Sequence, residues 1–164
     1  ARANVVLADF VREVYWARYS AGRNDLQLED ARTFIANSVR EGKTQKPWSE
    51  TTIKRISSYL MGCCADYALL TTTGRNQRSI AAYRILPKVA AYLAYDLKFS
   101  GLGDNQIVSS SDWDLFGLER ADVRDQLKRL SLQGLLIFQA ASDVVHIGWT
   151  YKSMEELIDV IAQS

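Results

Sequence analysis

Histidine, cysteine and proline are all scarce in this chain, and each scarcity closes off a class of chemistry or structure. It holds one histidine, His146, and two cysteines, the adjacent Cys63 and Cys64. Metal centres need several His, Cys or carboxylate ligands at regular spacing, and none is set out that way. Neighbouring cysteines rarely bridge one another, and both fall in an apolar helical stretch. They read as small buried packing residues of a reducing compartment. His146 sits alone on a predicted strand, where a histidine is usually structural. There is no glycine-rich phosphate loop, no Gly-x-Ser-x-Gly elbow and no cysteine with a histidine partner nearby. Asp112 and Asp114 lie close together, but at the start of a helix they complement its dipole. The sequence predicts a protein that is not an enzyme and has no cofactor and no metal. No apolar run approaches the ~20 residues that cross a bilayer, and no signal-peptide pattern is visible, so no membrane partner is expected. Only two prolines, Pro47 and Pro87, interrupt the chain, and each falls between or at the start of predicted helices.

What is present is an ordinary core and an uneven distribution of charge. The 164 residues are 48% apolar, enough for one or two small domains. A net charge of +1 hides two opposed halves. Residues 1–88 hold 14 Lys plus Arg against 8 Asp plus Glu, and residues 89–164 hold 6 against 11. The excess lies between residues 42 and 88, where Lys43, Lys46, Lys54, Arg55, Arg75, Arg78, Arg84 and Lys88 face only Glu50 and Asp66. A positive module joined to a negative one points to a polyanion partner for the first.

Apolar periodicity predicts the elements. Residues 4–19 form a helix with a stripe of Val6, Phe10, Val14 or Val11, and Ala17, broadened by Tyr15 and Trp16, and Gly22 ends it. Its arginines, Arg12 and Arg18, and Arg23 beyond its end, are expected in solvent. Residues 28–40 form the next helix, with Ala31, Phe34, Ile35 and Val39 on one face and Gly42 as the stop. A short basic turn ending in Pro47 leads to a helix capped by Ser49. That helix buries Ile53, Ile56, Leu60, Met61 and Cys64 and turns Lys54, Arg55 and Ser58 away from the stripe. Residues 67–70 and 79–85 then read as a hairpin with a long basic tip, 71–78. Pro87 opens a buried helix to Phe99, in which Tyr92 and Tyr95 are read as core rather than as base-stacking groups.

The glycine-rich segment 100–104 is the best boundary. Beyond it come a short helix at 110–116 and a second at 119–133 with Val123, Leu127 and Leu130 buried. Gly134 follows, then strands 135–140 and 144–149 about a Ser142-Asp143 turn. A last helix, 153–162, opens on a Ser153/Glu156 capping box. The predicted fold is mainly α with small β-hairpins: two winged-helix-like helix-turn-helix modules packed through connecting helices. Residues 1–100 hold the N-terminal helices and a basic module, and residues 101–164 an acidic C-terminal module.

In a winged helix the second helix enters the major groove and the wing touches the backbone or minor groove. The candidate contacts to double-stranded DNA are therefore Lys43, Lys46, Lys54, Arg55, Arg75 and Arg78. Arg120, Arg124 and Lys128, at four-residue spacing in the second module, are secondary candidates. There Asp122 and Asp125 dilute the row, which favours a solvated face and a docking or scaffolding role. Tyr67 and Tyr83 on the first hairpin keep RNA open as a ligand.

Several of these segments resemble the BrxA family of BREX bacteriophage-exclusion systems. They are Trp48-Ser49 opening a helix with Thr52 and Arg55, the apolar run to Leu69-Leu70, and Ile147-Gly148-Trp149-Thr150 with Ser153-Met154. The resemblance implies a small cytoplasmic bacterial accessory protein with winged-helix modules that binds DNA and works with other BREX proteins. It also implies residues ahead of the first helix, in keeping with a chain that begins Ala1-Arg2 rather than with Met. The family has been likened to the RNA-binding antitermination factor NusB. Protein docking within a defence complex is the rival expectation, and the family offers no active site to carry over.

Overall fold

A computed structural model describes residues 4–73, 77–81 and 83–163. Asn4 starts the first helix by accepting the Leu7 amide at 3.1 Å. The helix runs as α1 (Val5–Phe10), a π-helical turn (Val11–Tyr15) and α2 (Trp16–Ser20). The wider π turn shifts the inward face. Leu7, Ala8, Phe10, Val11 and Tyr15 are buried, whereas Val14 is half-buried and Ala17 exposed. A regular 3.6-residue count cannot anticipate that shift.

α3 (Leu28–Arg40) starts with the Asp30 carboxylate accepting the Gln27 amide at 2.8 Å. The other Asp30 oxygen pairs with the Arg18 guanidinium, which also lies 3.6 Å from Asp25. Arg18 is thus an internal tie and not the solvated charge that its sequence position suggests. It steadies the loop before α3, whose Leu26 plugs the core. α4 (Glu50–Asp66) packs against α3. Ser49 caps it by accepting the Thr52 amide at 3.3 Å, and Ile53, Leu60, Met61 and Cys64 are buried as the spacing predicts.

The first hairpin is formed by β1 (Leu70–Thr73) and β2 (Gln77–Ile80), paired antiparallel from Leu70↔Ile80 to Thr73↔Gln77. The pairing extends into the stretch expected as the tip. Tyr67 and Ala68 belong instead to the end of α4, where Ala68 takes a left-handed φ of 56° and the Leu69 amide reaches the Cys64 carbonyl at 2.9 Å. The β-branched Thr71–Thr73 run then favours strand. The outer edge of β2 is covered by the loop before α3, through an Ile80 amide to Asn24 carbonyl bond of 2.8 Å and an Asp25–Ser79 bridge.

The chain divides into two units between Tyr83 and Arg84, so the helix after Pro87 belongs to the second unit and not to the first. α5 (Pro87–Phe99) buries Ala90, Ala91 and Ala94, small residues that let α7 and α8 approach, together with the large ring of Tyr95. The expected linker is a turn followed by a short helix, α6 (Asp104–Val108), which buries Ile107 and Val108. A 3₁₀ turn (Ser111–Phe116) follows, capped by Ser110, with the Trp113 indole donating to the Ile107 carbonyl at 2.7 Å. α7 (Arg120–Leu132) buries Val123, Leu127 and Leu130. β3 (Leu136–Ala141) and β4 (Val144–Trp149) pair antiparallel about Ser142 at a left-handed φ of 51°. α8 (Met154–Ala162) is capped by Ser153, but Glu156 reaches back to the Lys152 amide, one residue earlier than a regular capping box. The chain is therefore mainly helical with two small antiparallel hairpins, as predicted.

Each unit closes its hairpin in the same way. The Tyr15 hydroxyl donates to the Leu69 carbonyl at 2.9 Å, just before β1, and lies 3.2 Å from the Ala81 carbonyl, just after β2. The Tyr95 hydroxyl donates to the Leu135 carbonyl at 2.7 Å, just before β3. It accepts the Thr150 and Tyr151 amides, just after β4, at 3.1 and 3.2 Å. Trp149 packs edge-on against Tyr95 at 4.7 Å and beneath the Lys98 ammonium at 4.8 Å.

Tyr95→Phe leaves one carbonyl and two part-buried amides without their partner, so chemical denaturation should show a loss of about 1–3 kcal/mol. Burial, chiefly, pushes the Tyr15 phenol up to about 12. The unfolded chain ionises this group first, so its contribution to stability is full below about pH 10 and is lost as pH rises through about 12. Denaturation curves of wild type and Tyr15→Phe should therefore converge at high pH. Parallel alkaline losses in the two proteins would contradict this account.

Candidate nucleic-acid interface

Ser49 sets the start of α4, and the stripe from Ile53 to Cys64 sets its rotation, so the side chains left over face solvent. Lys54, Arg55, Ser58 and Tyr59 are all exposed. On a helix turning about 100° per residue these four span an arc of roughly 140°. Lys54 lies on the flank toward α3, where it lines an open groove of about 600 Å³ with Arg32, Thr51, Glu29 and Glu50. Arg55 lies further round, over the ring of Tyr59 at 5.9 Å from its centroid. Among the described residues no carboxylate forms an ion pair with either cation. Lys46 is exposed on the connection that leads into α4. That connection runs from residue 41 to 49, longer than the short turn expected.

Two other candidates are engaged elsewhere. The Lys43 ammonium lies 3.2 Å from the Glu41 carboxylate. Glu41, hydrogen-bonded to it, holds Lys43 above its ordinary value, and Glu13 adds to the effect. Arg78 is half-buried, and its guanidinium donates to the Met61 carbonyl at 2.7 Å, pinning β2 onto α4. This bond lies one turn beyond Ser58, on the same flank of the helix as Lys54. Arg78 is therefore a strut of the hairpin rather than an outward wing cation. Arg75 lies outside the described residues.

In the second unit α7 presents the secondary candidates differently. Arg120 is exposed and Arg124 half-buried, while Lys128 is held by Asp125 at 3.0 Å. Asp122 turns back to accept the Glu119 amide at 3.0 Å. Of the α7 cations, Lys128 is thus the one held by a carboxylate, and Asp122 is taken up by the helix cap.

The aromatic residues also separate. Tyr95 is core, as expected. Tyr92, expected beside it in the core, stands exposed. Tyr83 is half-buried against the first unit's core, and burial raises its pKa. Tyr67 is 65% exposed and Tyr59 is 58% exposed. Sequence reasoning alone passes over Tyr59, although its spacing of four residues from Arg55 on an outward face is a usable signal. The solitary His146 is solvent-exposed, with Nδ1 3.5 Å from the Asp104 carboxylate. Among the described residues no cluster of His, Cys and carboxylates could hold a metal ion, and no helix is long and apolar enough to cross a membrane.

A family model, BrxA, matches residues 1–96, which span the first unit and most of α5. No curated protein and no solved structure matches the chain. Within the matched region, Trp48 packs on the core and Ser49 and Thr52 form the cap of α4, which leaves Arg55 as the motif residue that faces solvent.

Arg78→Ala removes a charge-assisted bond from a half-buried site, so it should lower the unfolding free energy by about 1–2 kcal/mol. Lys54→Ala should leave the melting temperature within about one degree of wild type, because surface substitutions away from packing rarely matter. Calorimetry on the two variants measures both. An unchanged Arg78→Ala melting temperature would return that residue to the set of free cations.

Proposed function

We propose that this chain, which belongs to the BrxA family of BREX phage-defence proteins, is a non-enzymatic cytoplasmic accessory protein that binds double-stranded DNA with little sequence specificity. The observation that carries the reading is the solvent face of α4. There Lys54 and Arg55 point outward with no carboxylate paired to either among the described residues, and Lys46 precedes them. A helix followed by a hairpin strapped to its side is the arrangement of a winged helix, and we read α3, α4 and the β1–β2 hairpin in that way. In this reading phosphates are met by Lys46, Lys54 and Arg55, while Arg78 acts indirectly by holding the hairpin. Binding of this kind is electrostatic and nearly blind to base sequence.

A second role falls to the other unit, where Lys128 of α7 is paired to Asp125. The β3–β4 hairpin exposes Ile137 and Val144. We read this unit as the surface that docks other BREX proteins.

The test is fluorescence anisotropy with a mixed-sequence duplex over a series of salt concentrations. Lys46→Ala, Lys54→Ala and Arg55→Ala, combined, should weaken binding equally across unrelated duplexes. The slope of log affinity against log salt should flatten by about 0.9 for each phosphate that is no longer neutralised. Lys43→Ala and Lys128→Ala should change affinity less than about twofold, since surface pairs of that kind contribute little. An unaltered slope in the triple variant would sink the proposal in favour of docking.

A further inference from the structure

We propose that the outward face of α4 carries a stacking site for an unpaired DNA base, with Tyr59 as its platform. The inference rests on the reading of this face as a nucleic-acid surface and names what that surface takes beyond phosphate. Three features converge. Tyr59 is 58% exposed in the middle of a helix of 17 residues, so the core does not claim its ring. The Arg55 guanidinium lies over that ring at 5.9 Å from the centroid, which sets a flat cation beside the phenol. Gly62 follows three residues later, so it lies beside Tyr59 on the helix surface, and a Cβ built there would meet nothing within 4 Å.

A glycine in a helix interior costs stability relative to alanine, and here no packing neighbour calls for it. Its effect is to leave bare, flat backbone next to an exposed ring, the shape against which a nucleobase can lie. Duplex DNA hides its base faces within the stack. An aromatic platform therefore contributes to affinity only where a base is unpaired, and it does so for every base because each has a π-face. Lys54, about 100° round the helix from Arg55, lies where it can meet the phosphate of the same strand.

The experiment compares the whole chain on three probes of equal length at one salt concentration: single-stranded oligo-dT, mixed-sequence duplex DNA and oligo-U RNA. Tyr59→Ala should lower the affinity for oligo-dT by about 5- to 100-fold, the range expected for losing one stacked base. The same substitution should leave duplex affinity within about twofold. Tyr59→Phe keeps the ring and should retain oligo-dT binding. Gly62→Leu should cover the shelf and weaken oligo-dT binding without lowering the melting temperature. The site is overturned if Tyr59→Ala leaves oligo-dT affinity unchanged or weakens duplex binding to the same degree. A Tyr59-dependent preference for oligo-U over oligo-dT also overturns it, by moving the ligand to RNA. If wild type ignores duplex DNA but binds oligo-dT through Tyr59, the duplex reading above fails while the stacking site stands.

Discussion

A buried tyrosine hydroxyl at the root of each hairpin is the constraint on which the rest of this molecule depends. Two strands alone are marginal in water, because they bury little and leave both edges open. In each unit a phenol supplies what the short sheet lacks. It bridges the backbone just before the first strand to the backbone just after the second, and its ring fills the core beneath. Tyr15 does this at Leu69 and Ala81, and Tyr95 at Leu135 and at Thr150 and Tyr151. The edges are then covered locally. Asn24 and Asp25 lie along β2, while the Ser131 hydroxyl accepts the Phe138 amide and Asp104 the Ile147 amide. The late motif of Ile147 to Thr150 thus has a structural account: one residue meets an edge cap, Gly148 lets Ile137 approach, and the last two meet Tyr95.

With the hairpin rooted, the preceding helix has one side fixed and the other free. In the first unit Arg78 adds a strut on the flank that also bears Lys54, and the rest of the outward face of α4 carries Arg55 and Tyr59. In the second unit α7 occupies the same place in the order of elements, yet its Lys128 is tied to Asp125 and its Arg124 is half-buried. One arrangement of helix and hairpin therefore presents two different surfaces. The difference lies in which side chains each helix leaves outward and unpaired among the described residues, and not in topology, which is why one is proposed for DNA and the other for protein.

Cationic residues in the first unit sort by the carboxylates and carbonyls that folding brings near them. Arg18 meets Asp25 and Asp30, Lys43 meets Glu41, and Arg78 meets a helix carbonyl. A count of charges between residues 42 and 88 treats Lys43 and Arg78 like the exposed cations and leaves Arg18 out altogether. Lys54 and Arg55, which project from a helix whose other side is claimed by the core, and Lys46, on the connection before it, stay exposed.

Capping and periodicity were legible from residue order alone, since both act over three or four positions. Ser49, Ser153 and Pro87 begin their helices where expected, and the buried rows of α4 and α7 follow from 3.6-residue spacing. What residue order could not reveal were features decided by distant neighbours or by backbone geometry without a residue signature. The π turn that leaves Val14 half-buried and Ala17 exposed, the left-handed Ala68 that moves the hairpin's start, and the short α6 after an apparent linker are of this kind. So is the role of Arg78, settled by a carbonyl 17 positions earlier in the chain. Local hydrogen bonds are written in the sequence because their partners are adjacent in it. A charge's freedom to meet a ligand depends on which groups the tertiary fold places beside it.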